Sequence, residues 1–358
     1  MTEFIGSLYA PIFYNLTLIF CLIKVLNIHR DDRCLMWGLT ILLLFFIGLR
    51  PITFHFADTV GYAYMYNDMT YESFNSCLQT KDYMFNMLMY IFNKVGLSVH
   101  CFFTFIAAIY IGFTAWASQR ISKKYAYLIF LSVISSFSFY SYGVNGIRNG
   151  MAVTLVMLAM TFIENRKLIS LVLLWCAAAI HNSVLLPIVC IIISYLYRNT
   201  KFYFFCWLLS IIFVNIDSHS VESFLLNIGF IEDDRFSKYL VGMNNKNDFA
   251  FTGFRWDFLL YSSVPIIVAY YFNVKKNFQD NLYRLFANTY ILANSFWVLV
   301  INASFSNRFA YLSWFLYAIV LIYPFITYPD LPSRRKWIVY VLIGNVLFTW
   351  GMWLIGRL

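Results

Sequence analysis

The chain has 358 residues, of which 61% are hydrophobic, 21% aromatic and only 12% charged, about half the charge of an ordinary soluble protein at about 25%. No water-soluble core needs that much apolar surface. The formal charge of +9 falls in short clusters between apolar runs rather than along one basic face, which argues against nucleic acid as a partner and reads as a topology signal.

Apolar segments lie near 4–24, 35–49, 98–118, 125–143, 148–163 and 168–182, then near 183–197, 202–216, 257–273, 285–301, 308–325 and 336–354. Many approach the roughly 20 residues that cross a bilayer, where a backbone deprived of water must bond within its own helix. The expectation is an all-α, polytopic integral membrane protein of about twelve transmembrane helices, a single membrane domain over 1–358. The first run lacks a basic n-region, so it reads as a retained helix rather than a cleaved signal.

Orientation follows from the cations, because Lys and Arg favour short cytoplasmic loops. With the N-terminus outside, the inner loops receive Lys24, Arg30 and Arg33; Arg120, Lys123 and Lys124; Arg166 and Lys167; Arg198 and Lys201; Lys275, Lys276 and Arg284; Arg334, Arg335 and Lys336. These are sixteen of the 26 cations, and both termini are then predicted outside. Two outer loops are large, about 50–97 and about 217–256. They carry most of the acids, among them Asp58, Asp68, Glu72, Asp82, Asp217, Glu222, Glu232, Asp233 and Asp234. Near 83–95 the first loop is apolar but short, and a full span there would reverse every later loop. An outer amphipathic or re-entrant helix is expected instead. Residues 168–197 read either as two helices meeting at His181 or as one long helix bent at Pro187.

The seven cysteines form no CxxC pair and no His stands at ligand spacing, so neither a metal nor another cofactor is expected. No carboxylate pair, nucleophile elbow or phosphate-binding Gly-Lys-Ser loop appears. The informative residues are cations on the wrong side: Arg50, Arg148, Arg255 and Arg308, all at predicted outer helix ends. Any one could snorkel or pair with an acid. Four together fit a pyrophosphate, whose oxygens match the planar guanidinium fork. Arg148 opens a helix within Ser141-Tyr-Gly-Val-Asn-Gly-Ile-Arg-Asn-Gly150, where free N–H groups and the helix dipole already favour an anion. The glycines beside it serve tight helix packing equally well. His181 could cap a helix or, as an imidazole, act as general base or phosphate donor. Asp58 could bind a sugar hydroxyl or take its proton, or be merely solvated. Tyr62, Tyr66, Trp256 and Tyr311 lie near these positions, as interfacial belt or as sugar platforms.

In order along the chain, Asp58 with Tyr62 and Tyr66, Gly146-Ile-Arg148-Asn-Gly, the Ile-His181-Asn-Ser stretch, Gly-Phe-Arg255-Trp-Asp257-Phe and Asn-Arg308-Phe-Ala-Tyr311 resemble the EpsG-like branch of the Wzy-type polysaccharide polymerases. The resemblance implies a glycosyltransferase of the bacterial inner (plasma) membrane. Such an enzyme moves a growing O-antigen or capsule glycan from one undecaprenyl-pyrophosphate carrier to another lipid-linked repeat unit on the outer face, and a partner that sets chain length is implied with it. Arg148, Arg255, Arg308 and Arg50 would hold the pyrophosphate, His181 or Asp58 would act on the acceptor hydroxyl, and Tyr62, Tyr66, Trp256 and Tyr311 would place the sugars. A lipid-linked oligosaccharide flippase and an O-antigen ligase are the competing readings. A flippase would put its charges near mid-membrane and often shows internal repeats, whereas these candidates gather at one face.

Overall fold

The computed structural model describes residues 2–216, 254–303, 306–329 and 331–356, and every regular element among them is helical. Asp217, Glu222, Glu232, Asp233 and Asp234, expected in the second outer loop, lie outside the described residues. The chain divides into two compact units, Met1–Ile188 with Ile322–Leu358, and Val189–Leu321.

In the first unit the order is α1 (Thr2–Leu26), α2 (Arg33–Gly48), α3 (Asp58–Asp68), α4 (Phe74–Leu78), α5 (Tyr83–Lys94), α6 (Val99–Ile121), α7 (Ala126–Ile134), α8 (Phe139–Val144), α9 (Ile147–Met160) and α10 (Lys167–Ile180). Then follow α11 (Leu185–Leu196), α12 (Thr200–Ile216), α13 (Trp256–Tyr270), α14 (Asn281–Leu299), α15 (Ser306–Trp314) and α16 (Tyr317–Thr327), and α17 (Arg334–Leu354) returns to the first unit.

Length decides which helices qualify as spans. Among the described residues five are long and apolar enough: Thr2–Leu26, Val99–Ile121, Trp256–Lys275, Ser306–Thr327 and Arg334–Leu354. The other apolar helices, including Arg33–Gly48, Ile147–Met160 and Lys167–Ile180, have 10–17 residues. At 1.5 Å per residue even the longest of these measures about 25 Å, short of a hydrocarbon core about 30 Å thick. Against the expected twelve or so, five therefore meet the criterion.

The first unit is organised on α6, which packs against α2, α7 and α9, while α9 packs on α10. Gly48 makes the α2 contact possible, since a Cβ there would fall 2.6 Å from the Thr104 Cα. Interhelical hydrogen bonds, which polar side chains seek in lipid, tie in the last helix: Asn345 Nδ2 donates to the Ser132 carbonyl and to Ser135 Oγ, both at 3.0 Å. In the second unit α14 packs against α12, α13 and α15. Similar bonds run through it, with Trp207 Nε1 donating to Asn294 Oδ1 and Trp314 Nε1 to Ser262 Oγ.

Two local features place the candidate residues. A helix does run over Tyr83–Lys94, burying Phe85, Asn86 and Met89. Between α10 and α11 the chain breaks: His181 is extended, at φ −156° and ψ 119°, and a short 3-10 turn follows over Asn182–Val184. Of the two readings of 168–197, this is the pair of helices. Pro187 sits in the first turn of α11, where its missing N–H has no helical partner to lose.

Candidate functional site

The site forms where three loops of the first unit meet. α8 ends at Val144, Asn145 and Gly146 make the turn, and α9 begins at Ile147. The turn is this tight because Gly150 lies against α8, where a Cβ would stand 2.7 Å from the Tyr142 carbonyl oxygen. Arg148 is thereby set in the first turn of α9. Asp82 ends the loop before α5, and His181 stands at the break after α10.

These three side chains converge. Asp82 Oδ2 accepts from Arg148 Nη1 at 2.8 Å, and His181 Nδ1 lies 3.2 and 3.1 Å from the two Asp82 oxygens. The Asn182 N–H also donates to Asp82 Oδ1, at 3.3 Å. An ionised carboxylate only accepts, so the His181 proton belongs on Nδ1, and Nε2 faces away from the bond. Burial acts to raise the Asp82 pKa. The hydrogen bond from His181, the Arg148 guanidinium and the Asn182 N–H outweigh it, and the carboxyl is held below its usual value.

Arg148 is held on its other side as well. Its Nε donates to the Tyr62 hydroxyl at 3.2 Å, and its guanidinium lies over the Tyr62 ring at 5.4 Å and the Phe85 ring at 5.9 Å. Burial raises the Tyr62 pKa, so the phenol keeps its proton and accepts from arginine. Among the described residues, Nη2 of Arg148 is left with donors to spare. The cluster thus presents a fixed guanidinium edge and a fixed imidazole nitrogen, both anchored on one carboxylate. Such a pair can bind a phosphate oxygen and move a proton within one small space.

The other sequence candidates are placed differently. Asp58 opens α3 and is exposed; its N–H donates to Asn145 Oδ1 at 3.0 Å, and its charge reaches Tyr62 through space. Arg50 is 1% exposed. Its Nε and Nη2 donate to Thr59 Oγ1, its Nη1 donates to the Ile47 carbonyl, and its guanidinium lies 4.7 Å from the Phe103 ring. Thr59 in turn donates to the Val144 carbonyl at 2.7 Å, so Arg50 ties α2 and α3 to the turn that carries Arg148. Tyr62 and Tyr66 are 5% and 3% exposed, and neither has an open ring face. Tyr66 donates to the Leu97 carbonyl.

Arg255, Trp256, Arg308 and Tyr311 belong to the second unit. Arg255 precedes α13 and turns its fork on Asp257, with bonds of 2.9 and 2.7 Å, while lying 3.7 Å from the Phe258 ring. Trp256 is exposed, packed at one edge against Phe254. Arg308 is exposed in the first turn of α15, and Tyr311 is buried beside Trp314.

Sequence reading missed Asp82, which counted only as one outer acid among many. Its partners stand 66 and 99 residues away, and no local spacing reports such a pairing. The one local sign is its position directly before an apolar helix.

A family model described as the EpsG family matches residues 9–356, nearly the whole chain. No curated protein and no solved structure matches the chain.

Proposed function

Because this chain belongs to the EpsG family, we propose that it is a polysaccharide repeat-unit polymerase, a glycosyltransferase acting on undecaprenyl-pyrophosphate-linked oligosaccharides at the outer face of the bacterial plasma membrane. In this reading about twelve apolar legs cross the membrane, and both termini lie outside. The observation that carries the proposal is the single Asp82 carboxylate that holds Arg148 and His181 together.

In the reaction the acceptor sugar hydroxyl attacks the anomeric carbon of the donor glycan, and the bond from that carbon to the pyrophosphate oxygen breaks. His181 Nε2 takes the hydroxyl proton, and Asp82 fixes the ring so that this nitrogen stays presented. Arg148 binds the departing pyrophosphate, whose negative charge grows as the bond breaks. Charge neutralisation by guanidinium makes a metal unnecessary here. Arg255 and Arg308, which lie in the second unit, stay in the proposal as anion-binding cations on their chemistry alone. Arg50 leaves it, since its donors serve Thr59 and Ile47. A chain-length regulator is the protein partner in this reading.

The test is the length distribution of surface glycan after deletion of the gene and restoration with variants. Wild type restores the ladder. Arg148→Ala and His181→Ala leave glycan capped by a single repeat unit, each losing on the order of 10²–10³ in rate. Arg148→Lys keeps the charge but not the fork, and loses most of the ladder as well. A ladder untouched by all three sinks the proposal, and absence of any surface glycan in the deletion strain turns it toward a flippase or ligase.

A further inference from the structure

Helix α3 has two working faces. Thr59, Tyr62 and Tyr66 turn inward toward the Asp82 cluster and the α5–α6 loop. Val60, Ala63, Tyr64 and Asn67, at the i, i+3, i+4, i+7 spacing of one helical stripe, line a cavity of about 330 Å³ that Glu3 of α1 and Phe54 close from the other side. All of these residues lie in the first unit.

The lining is specific in its chemistry. Phe54 and Tyr64 are 77% and 67% exposed, two large rings left open to the outside in a lining that also includes Ile52, Val60 and Ala63. A carboxylate and a carboxamide share the cavity with them, and His55 Nε2 stands 3.4 Å from Glu3 Oε2. An interfacial aromatic belt accounts for rings but not for Glu3 and Asn67 closing the same cavity. Among the described residues no Lys or Arg lines it, and Glu3 repels a phosphate. A lipid tail would use only the apolar part of the lining, Ile52, Phe54, Val60 and Ala63, and make nothing of Glu3 and Asn67. A pyranose matches both halves: its C–H face rests on an aromatic ring and its hydroxyls bond the carboxylate and the amide. The volume falls at the lower end of ligand pockets, about 300–1,000 Å³.

We propose that this groove is a remote sugar subsite, which holds one pyranose unit of the glycan across α3 from the Asp82 cluster. The inference rests on the polymerase reading for the identity of the glycan. A helix with its side chains is about 10–12 Å thick, so the unit held here is not one of the two being joined. Its binding energy selects the repeat and positions it without touching the bond that breaks.

The experiment uses the full-length protein in lipid nanodiscs, with oligosaccharides released from the source cell's own surface glycan as the probe. Tyr64→Ala and Asn67→Ala weaken binding about five- to tenfold and raise KM with kcat unchanged, while Tyr64→Phe, which keeps the ring, stays within about twofold of wild type. Alanine variants that bind as wild type does, or a wild type that does not bind the oligosaccharides, overturn the subsite. The polymerase reading fails on a different result. If Tyr64→Ala weakens binding but the glycan ladder is indifferent to Arg148→Ala, the groove stands as a glycan site and the polymerase does not.

Discussion

Asp82 decides the chemistry of its neighbours. Its carboxyl is held below the ordinary aspartate value of 3.8, so the folded protein binds that proton less readily than the unfolded chain. The sign of the linkage follows: the stabilisation is fully present above 3.8 and is lost as pH falls through the lower, folded value. Asp82→Asn should therefore lower stability relative to wild type at neutral and mildly acid pH by about 1–3 kcal/mol, read as a lower unfolding midpoint, and the gap should close only below about pH 4. A gap that closes between pH 5 and 7 would mean another group carries the effect. The residue scale is also where sequence reading is weakest. Arg50 and Arg148 look alike as outer cations beside helix ends, yet one spends its donors on Thr59 and Ile47 and the other meets Asp82. Tyr62 and Tyr66 look like sugar platforms but are buried, one as the support of Arg148 and the other as a bond to Leu97. The contacts of Arg148, Tyr62 and Tyr66 lie 31 to 86 residues away, and even the nearby partners of Arg50 are set by how the chain turns between α2 and α3, which composition and local spacing do not encode.

At the scale of elements more is legible. Apolar runs mark where the helices lie, because the cost of an unbonded backbone in lipid leaves little else for such a run to do. The short apolar stretch before residue 95 is a helix, and the His181 region is two helices, because His-Asn-Ser interrupts the apolar pattern before Pro187. What the runs do not reveal is length: α9 and α10 are 14 residues each, too short to span without help. The α8–α9 turn gives a direct test of how tightly the site is built. Gly150→Ala drives a methyl into the Tyr142 carbonyl, 2.7 Å away, and should cost about 1–3 kcal/mol and most of the glycan ladder. Gly112→Ala, with nothing within 4 Å, should leave both the unfolding midpoint of the solubilised protein and the ladder unchanged. Equal behaviour of the two variants would deny the close approach.

For the whole molecule, the family match agrees with the resemblance carried by the ordered motifs, and the long apolar helices agree with the membrane character that composition implies. The proposed orientation can be read with the protein's own thiols, since Cys34 at the start of α2 and Cys101 at the start of α6 are both exposed. In a variant keeping only these two cysteines, a membrane-impermeant maleimide applied to intact spheroplasts should label Cys101 and spare Cys34. The opposite pattern would invert the topology and place the Asp82 cluster inside. The positive-inside argument reaches this far because short basic loops are read one by one during insertion. It says nothing of how the loops then meet.

That meeting has a consequence for biosynthesis. The ribosome delivers the acid at position 82 first, the guanidinium at 148 well after it and the imidazole at 181 last. Until α10 has emerged and been seated beside α9, the nascent chain carries the carboxylate and the arginine but lacks the imidazole to which the proposed reaction assigns the proton. Contacts of such long sequence separation form late, so under the polymerase proposal the half-made protein is inert toward lipid-linked sugars already present in the membrane that receives it.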